Sequence, residues 1–325
     1  MTKSNGDDMG RLIATRLAAF ILTLFAASAV LFFTISVLPG SAAKSALGME
    51  ATPQAIARFE AQRGLDRPLV VQYGEWLGNT LSGNFGKSFQ NSVPVGPELV
   101  KRIPVTLELA TLAFLVANLI AIPLGIMAAA RHTRPTDKTT TFTATVLGAV
   151  PNFWLATLLI MVFSLNLRWL PPGGFTPFLT DPVQNLKQMI MPALSLGLVS
   201  SALLIRIMRA SMIEVLSSDF IRTAHAKGAA EAIVIRRHAL RNSLIPYLNV
   251  AAVEFGFLFG SAVVIEDIFR LPGVGSLVLV GIINRDFPVL LASALTITVF
   301  VLVVNLIVDL AVGLLDPRRV KGSRA

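Results

Sequence analysis

Residues 109–130 read LATLAFLVANLIAIPLGIMAAA, a run without a single charged side chain. A helix rises about 1.5 Å per residue, so roughly 20 such residues cross a hydrocarbon core of about 30 Å. Outward from this stretch, Leu17–Leu38, Thr139–Leu167, Gln188–Ile205 and Phe287–Val308 meet the same test, and Asn242–Ile265 carries only Glu254. The pattern predicts an all-α polytopic membrane protein with six transmembrane helices. Composition agrees, because 54% of the 325 residues are hydrophobic and 14% charged, against roughly 25% charged in soluble domains.

The net charge of +9 does not imply nucleic acid, because the basic residues punctuate apolar runs and form no stripe with interleaved aromatics. Their placement predicts topology instead. Lys3, Arg11 and Arg16, then Arg131, Arg134 and Lys138, then the basic residues of 206–241, then Arg318, Arg319, Lys321 and Arg324 fall on one side of a six-span chain. By the positive-inside rule that side is the cytoplasm, so both termini are expected there. The uncharged first run is longer than a signal-peptide core of 7–15 residues and reads as a span. Zero cysteines exclude disulfides and thiolate chemistry. The three histidines, His132, His225 and His238, have neither the spacing nor the carboxylate neighbours of a metal site.

The expected organisation is an N-terminal segment and first span (1–38), an external cap (39–103), a five-helix core (104–315) and a basic cytoplasmic tail (316–325). Within the cap, Thr52 as N-cap, Pro53 at the first helical position and Gly64 as stop predict a short helix over Thr52–Arg63. In the third span Pro151, followed by Asn152, predicts a kink that either borders a pathway or serves packing. Gly256 and Gly260 form a GxxxG pair and predict close helix packing. Glu108 and Asp309 lie near span ends, where headgroups or basic neighbours can anchor them. Glu254 lies nearer mid-span and needs water or a polar partner, which makes it a candidate pathway residue.

Residues 206–241 are far longer than a hairpin needs. Capping oxygens at Ser217, Ser218 and Asp219 predict a short helix over Phe220–Lys227, stopped by Gly228 in a left-handed conformation, and Glu231–Ala239 reads as a second short helix. Physics alone leaves two readings, a docking surface for a protein and a basic segment on anionic headgroups.

DFIRTAHAKG (219–228) followed by RHALRNSLIP (237–246) resembles the ATPase-contacting loop of ABC permeases, specifically the dipeptide, oligopeptide and nickel branch of bacterial importers. Gly64-Leu65-Asp66-Arg67-Pro68-Leu69, Gln72-Tyr73, the stretch 83–89, the stretch 102–107, Pro151–Trp154 and Leu315–Arg318 resemble the same branch, so the likeness spans nearly the whole chain. Ser41 and Asn84 depart from it where acidic residues are common. The resemblance implies a permease half that contacts its ATPase through Asp219, Arg222, Thr223, Ala224, Gly228, His238 and Arg241. It implies as partners a second homologous permease, two ABC ATPase subunits that perform the hydrolysis, and an external substrate-binding protein. No cofactor is implied. Gly86-Lys87-Ser88 is no phosphate loop, because Leu81 stands where a glycine is required. Dipeptides, longer peptides, glutathione and nickel all remain open as cargo. An ion-coupled secondary transporter, the reading from another class, should show inverted repeats and midplane carboxylates, and only Glu254 suits it.

Overall fold

The computed structural model describes the backbone of residues 3–37, 41–48 and 51–315, and the side chains of these residues except 3–9, 11, 12 and 311–315. The basic tail 316–325 and Leu38-Pro39-Gly40 lie outside the described residues. The described chain is built from helices: α1 (Lys3–Val37), α2 (Ala42–Leu47), α3 (Pro53–Gln62), α4 (Leu69–Leu81), α5 (Val95–Ala130), α6 (Pro135–Ala149), α7 (Asn152–Leu159), α8 (Pro182–Leu216), α9 (Asp219–Ala226), α10 (Glu231–Ile233), α11 (Leu240–Ile268), α12 (Val274–Ile283) and α13 (Phe287–Leu315). Two π-helical segments, Ile160–Asn166 and Val234–Ala239, extend α7 and join α10 to α11. Five helical stretches are long and apolar enough to cross a membrane, and the bent pair α6 with α7 and its extension makes a sixth.

The α5–α8 pair forms the spine, and its sequence explains why. Ala110, Ala113, Ala117, Ala121, Gly125 and Ala128 recur every three or four residues, which puts them on one helix face, and every alanine among them is fully buried. On α8 the matching small residue is Gly197, where an added Cβ would sit 2.6 Å from the Ala113 carbonyl. At Gly125 it would sit 2.6 Å from Met208 Cβ. Small side chains therefore let the two backbones approach within a shared core that includes Leu196, Leu204, Met208 and Met212.

Gly256 and Gly260 do not play that part. An added Cβ at Gly256 would make ordinary contact with Val301 at 3.5 Å, and at Gly260 it would meet nothing within 4 Å. The expected close-packing face is not used among the described residues, where the side of α11 that carries Gly260 is exposed.

The third span is broken, which exceeds the expected kink. The axes of Pro135–Ala149 and Asn152–Asn166 differ by 95°. Val150 is extended (φ −82°, ψ 126°), as a residue before proline prefers, and the Pro151 carbonyl accepts from the amides of Trp154 and Leu155 to start α7 anew. The core boundary expected at 103/104 falls inside α5, which begins at Val95 and carries Pro104 internally.

The cap helix α3 has the expected ends, with Thr52 Oγ1 accepting from Ala55 N at 3.2 Å and Gly64 at φ +67°. The cap is tied to the bundle through Asp286, whose carboxylate accepts from Ser88 Oγ at 2.5 Å and from Phe89 N at 3.0 Å. At the other end of the bundle Arg16 Nη1 reaches Asp309 Oδ2 at 2.8 Å, anchoring α1 to α13.

Candidate functional site

At the end of the bundle opposite the cap, α8 passes through Ser217 and Ser218 into α9. Ser218 holds the N-cap position, but its hydroxyl donates to the Val215 carbonyl at 2.5 Å, and neither serine caps α9 with a side-chain oxygen. One face of α9 is bound inward: Ile221 is buried, and Ala224 packs against the same apolar cluster as Met212, Val234 and Ala239. The opposite face is bare. Asp219, Phe220, Arg222, Thr223 and His225 are exposed, and the Asp219–Arg222 pair at 3.3 Å is a surface pair. Gly228 follows at φ +80°, the left-handed conformation that glycine takes without Cβ strain.

Beyond the glycine the expected second short helix does not end at Ala239. Glu231 to Ile268 is one continuous helix, because residues 231–245 contain no glycine or proline and the irregularity is absorbed as a π-helical segment. His238 sits half-buried on that segment and Arg241 is exposed just after it. The structure thus brings Asp219, Arg222, Thr223, Ala224 and Gly228 onto one short unit, with His238 and Arg241 at the root of a membrane-spanning helix.

This unit is fixed to the spans on both sides. Ser211 Oγ donates to the Ser243 carbonyl at 3.0 Å, linking α8 to α11, and both serines are buried. Arg209 on α8 grips Asp137 on α6 with two bonds, Nε to Oδ1 at 2.5 Å and Nη2 to Oδ2 at 2.8 Å. Asp137 also accepts from Thr133 N at 3.0 Å and lies 3.1 Å from His132 Nδ1. α8, which leads into α9, is thus bonded to both α6 and α11.

The candidate pathway residues lie apart from this surface. Pro151 and Asn152 form the break between α6 and α7, and the Asn152 Oδ1 is buried without a hydrogen-bond partner. Glu254 is half-buried on α11, with no hydrogen bond or ion pair among the described residues.

The sequence reading missed Glu266. It lies one residue beyond the apolar run that ends at Ile265, and it is fully buried. Its Oε1 accepts from Thr106 Oγ1 at 2.6 Å and its Oε2 from Ser276 N at 2.8 Å, while Thr106 Oγ1 accepts from Val274 N at 2.8 Å. Together they satisfy amides at the start of α12 that have no partner within the helix. Gly273 and Gly275 leave room for the carboxylate, since a Cβ on either would crowd it. The available signal was the stretch 271–276, LPGVGS, with two glycines flanking a helix start.

The family model described as "Binding-protein-dependent transport system inner membrane component" matches residues 121–321, and its N-terminal companion matches residues 9–110. A protein of Brucella abortus (strain 2308), named for a peptide transport system permease, is 39% identical across 95% of this chain and 99% of its own length. The dipeptide transport system permease protein of Alkalihalophilus pseudofirmus is 35% identical, covering 93% of this chain and 97% of that one. The glutathione transport system permease protein of Escherichia coli (strain K12) is 36% identical, covering 94% and 97%. In three dimensions the fold is similar to a chain of the inward-facing MetNI methionine ABC transporter, at 16% identity and a TM-score of 0.57 over 67% of this chain and 96% of that one. With family models matching both the N-terminal region and the helical core, the chain belongs to the binding-protein-dependent transport system inner membrane components, the permease subunits of ABC importers.

Proposed function

We propose that this chain forms one half of the translocation pathway of an ATP-driven importer for short peptides, and that α9 is the part its ATPase grips. The observation that carries the reading is α9 itself, a short helix anchored by buried Ile221 whose opposite face, with Asp219, Phe220, Arg222 and Thr223, is left bare. An element that passes on a two-state change needs differential contacts in the two states and a stiff connection to what moves. The bare face supplies the first, and the packing of Ile221 and Ala224 into the cluster shared with α8 and α11 supplies the second.

The assembly in this reading is two permeases, two ATPases and an external binding protein, with both termini and α9 in the cytoplasm and the cap outside. Peptide cargo is supported by relatives named for peptide, dipeptide and glutathione transport. Glutathione is itself a short peptide. Pro151, Asn152 and Glu254 are the residues assigned to the pathway. Glu254 supports that role because it has no polar partner among the described residues and needs water or a second subunit.

Two experiments test the reading. On this cysteine-free background, Asn79→Cys should react with an impermeant maleimide from outside and Ala226→Cys only from inside; the reverse pattern overturns the orientation. Reconstituted with its ATPases, second permease and binding protein, the chain should support ATP-dependent uptake of labelled dipeptide. Uptake driven by an ion gradient without ATP would favour the secondary-transporter reading.

A further inference from the structure

A cavity of about 390 Å³ opens where the last turns of α1 and the first turn of α13 meet the cap. That volume falls within the range of small-ligand sites. Phe32, Trp76, Phe287 and Leu291 supply apolar wall, and Glu60 and Arg63 bring opposite charges to it. Arg63 is held in place by two rings, its guanidinium carbon lying 4.4 Å from the Phe59 centroid and 4.6 Å from that of Phe89. The rings meet edge to face at 5.5 Å. Glu75 also lines the cavity, but it is paired with Arg67, whereas neither Arg63 nor Glu60 has an ion-pair partner among the described residues.

One fixed guanidinium and one carboxylate that do not pair with each other, above an aromatic wall, complement a ligand carrying an anion, an ammonium and an apolar extension. The position of the cavity narrows the class. Of the long spans α1 is the least covered, with 17% of its apolar stretch buried against 33% to 61% for the others. Ile21, Leu22, Phe25 and Val30 are exposed along it. The cavity therefore opens at the rim of the bundle where two spans end, the depth of lipid headgroups and of interfacial tryptophan, and away from the α5–α8 spine.

The geometry points to a binding site for a zwitterionic, ethanolamine-type phospholipid, its phosphate on Arg63, its ammonium on Glu60 and an acyl chain passing the half-buried Trp76 and Phe287 toward the exposed side of α1. A free short peptide could supply both charges, but it has no long apolar tail to lie on the exposed residues of α1 next to the cavity. Bound there, the lipid braces the cap against α1 and α13.

The test uses the assembled transporter in nanodiscs that carry a trace of phospholipid with a photoactivatable acyl chain, in ethanolamine, choline or glycerol headgroup form. The ethanolamine form should label segments containing Trp76 or Phe287 most strongly. The choline form should label less, because its methyl groups remove the N–H donors that Glu60 would accept from. Arg63→Gln and Glu60→Gln should each cut labelling about tenfold, as loss of a charge-assisted hydrogen bond does, in complexes that still elute intact on gel filtration. Equal labelling by all three headgroups in the unaltered protein would overturn the proposal, leaving only nonspecific boundary lipid. So would displacement of the label by millimolar dipeptide, which would make this a peptide site.

Discussion

Glu266 Oε1 and Thr106 Oγ1 meet at 2.6 Å although 160 residues separate them in sequence. The bond joins α5 to α11, and the other carboxylate oxygen accepts from Ser276 N, so three helices share one buried side chain. Removing it leaves the Thr106 hydroxyl and the Ser276 amide without their acceptor. Glu266→Ala should cost about 1–3 kcal/mol for each group so orphaned, and Glu266→Gln, which keeps a carbonyl oxygen, should cost less. Thermal unfolding of the purified complex in detergent checks the order, and equal midpoints for the two variants would contradict this role.

The glycines separate into two kinds with opposite expected effects. Gly197→Ala drives a methyl group to 2.6 Å from the Ala113 carbonyl, and overpacking of that sort costs typically about 1–3 kcal/mol. Gly260→Ala meets nothing within 4 Å, and its better helix propensity should leave stability unchanged or raise it by up to about 1 kcal/mol. The same thermal assay distinguishes them. A loss at Gly260 matching that at Gly197 would mean that the GxxxG face packs against a second subunit.

These two cases also show where sequence patterns stop being informative. The spans were legible because length and absence of charge are local properties, and Thr52, Pro53 and Gly64 marked α3 because capping is local too. GxxxG states only that close approach is allowed there; whether a neighbour uses it depends on the rest of the bundle. Glu266 looked like the first charge after a span, because its partners Thr106 and Ser276 lie on other helices. At ten residues, α12 is too short to register as a span. On the loop side, the Gly228 stop was read correctly, but the continuity from Glu231 into α11 was not. A π-helical segment leaves no glycine or proline to mark it.

Asp137 and Arg209 should behave as one unit. The Asp137 side chain is 5% exposed and takes both of its strong bonds from Arg209. Arg209→Ala strands the buried Asp137 carboxylate and Asp137→Ala leaves the partly exposed Arg209 without its partner, whereas the double variant removes both. A double-mutant cycle on thermal stability should therefore return a coupling of about 1–3 kcal/mol. Additive single effects would mean that the pair does not hold α6 to α8.

Gly228 offers the sharpest separation of folding from function. Its φ is +80°, and an added Cβ would meet nothing within 4 Å, so a substitution there acts through backbone conformation and not through crowding. Valine resists the left-handed region, at a cost of roughly 1–2 kcal/mol or more, while asparagine tolerates it. Gly228→Val should therefore swing α9 out of register with its anchor at Ile221, and Gly228→Asn should leave it in place. Neither alters a membrane span, so both should insert normally. In reconstituted vesicles with the partner ATPases, Gly228→Val should abolish coupled transport and Gly228→Asn should retain most of it. Arg222→Glu, which reverses a charge on the bare face without touching the turn, should weaken ATPase recovery. Near-normal uptake in both Gly228→Val and Arg222→Glu would remove α9 from the coupling path and leave it as a basic segment lying on headgroups.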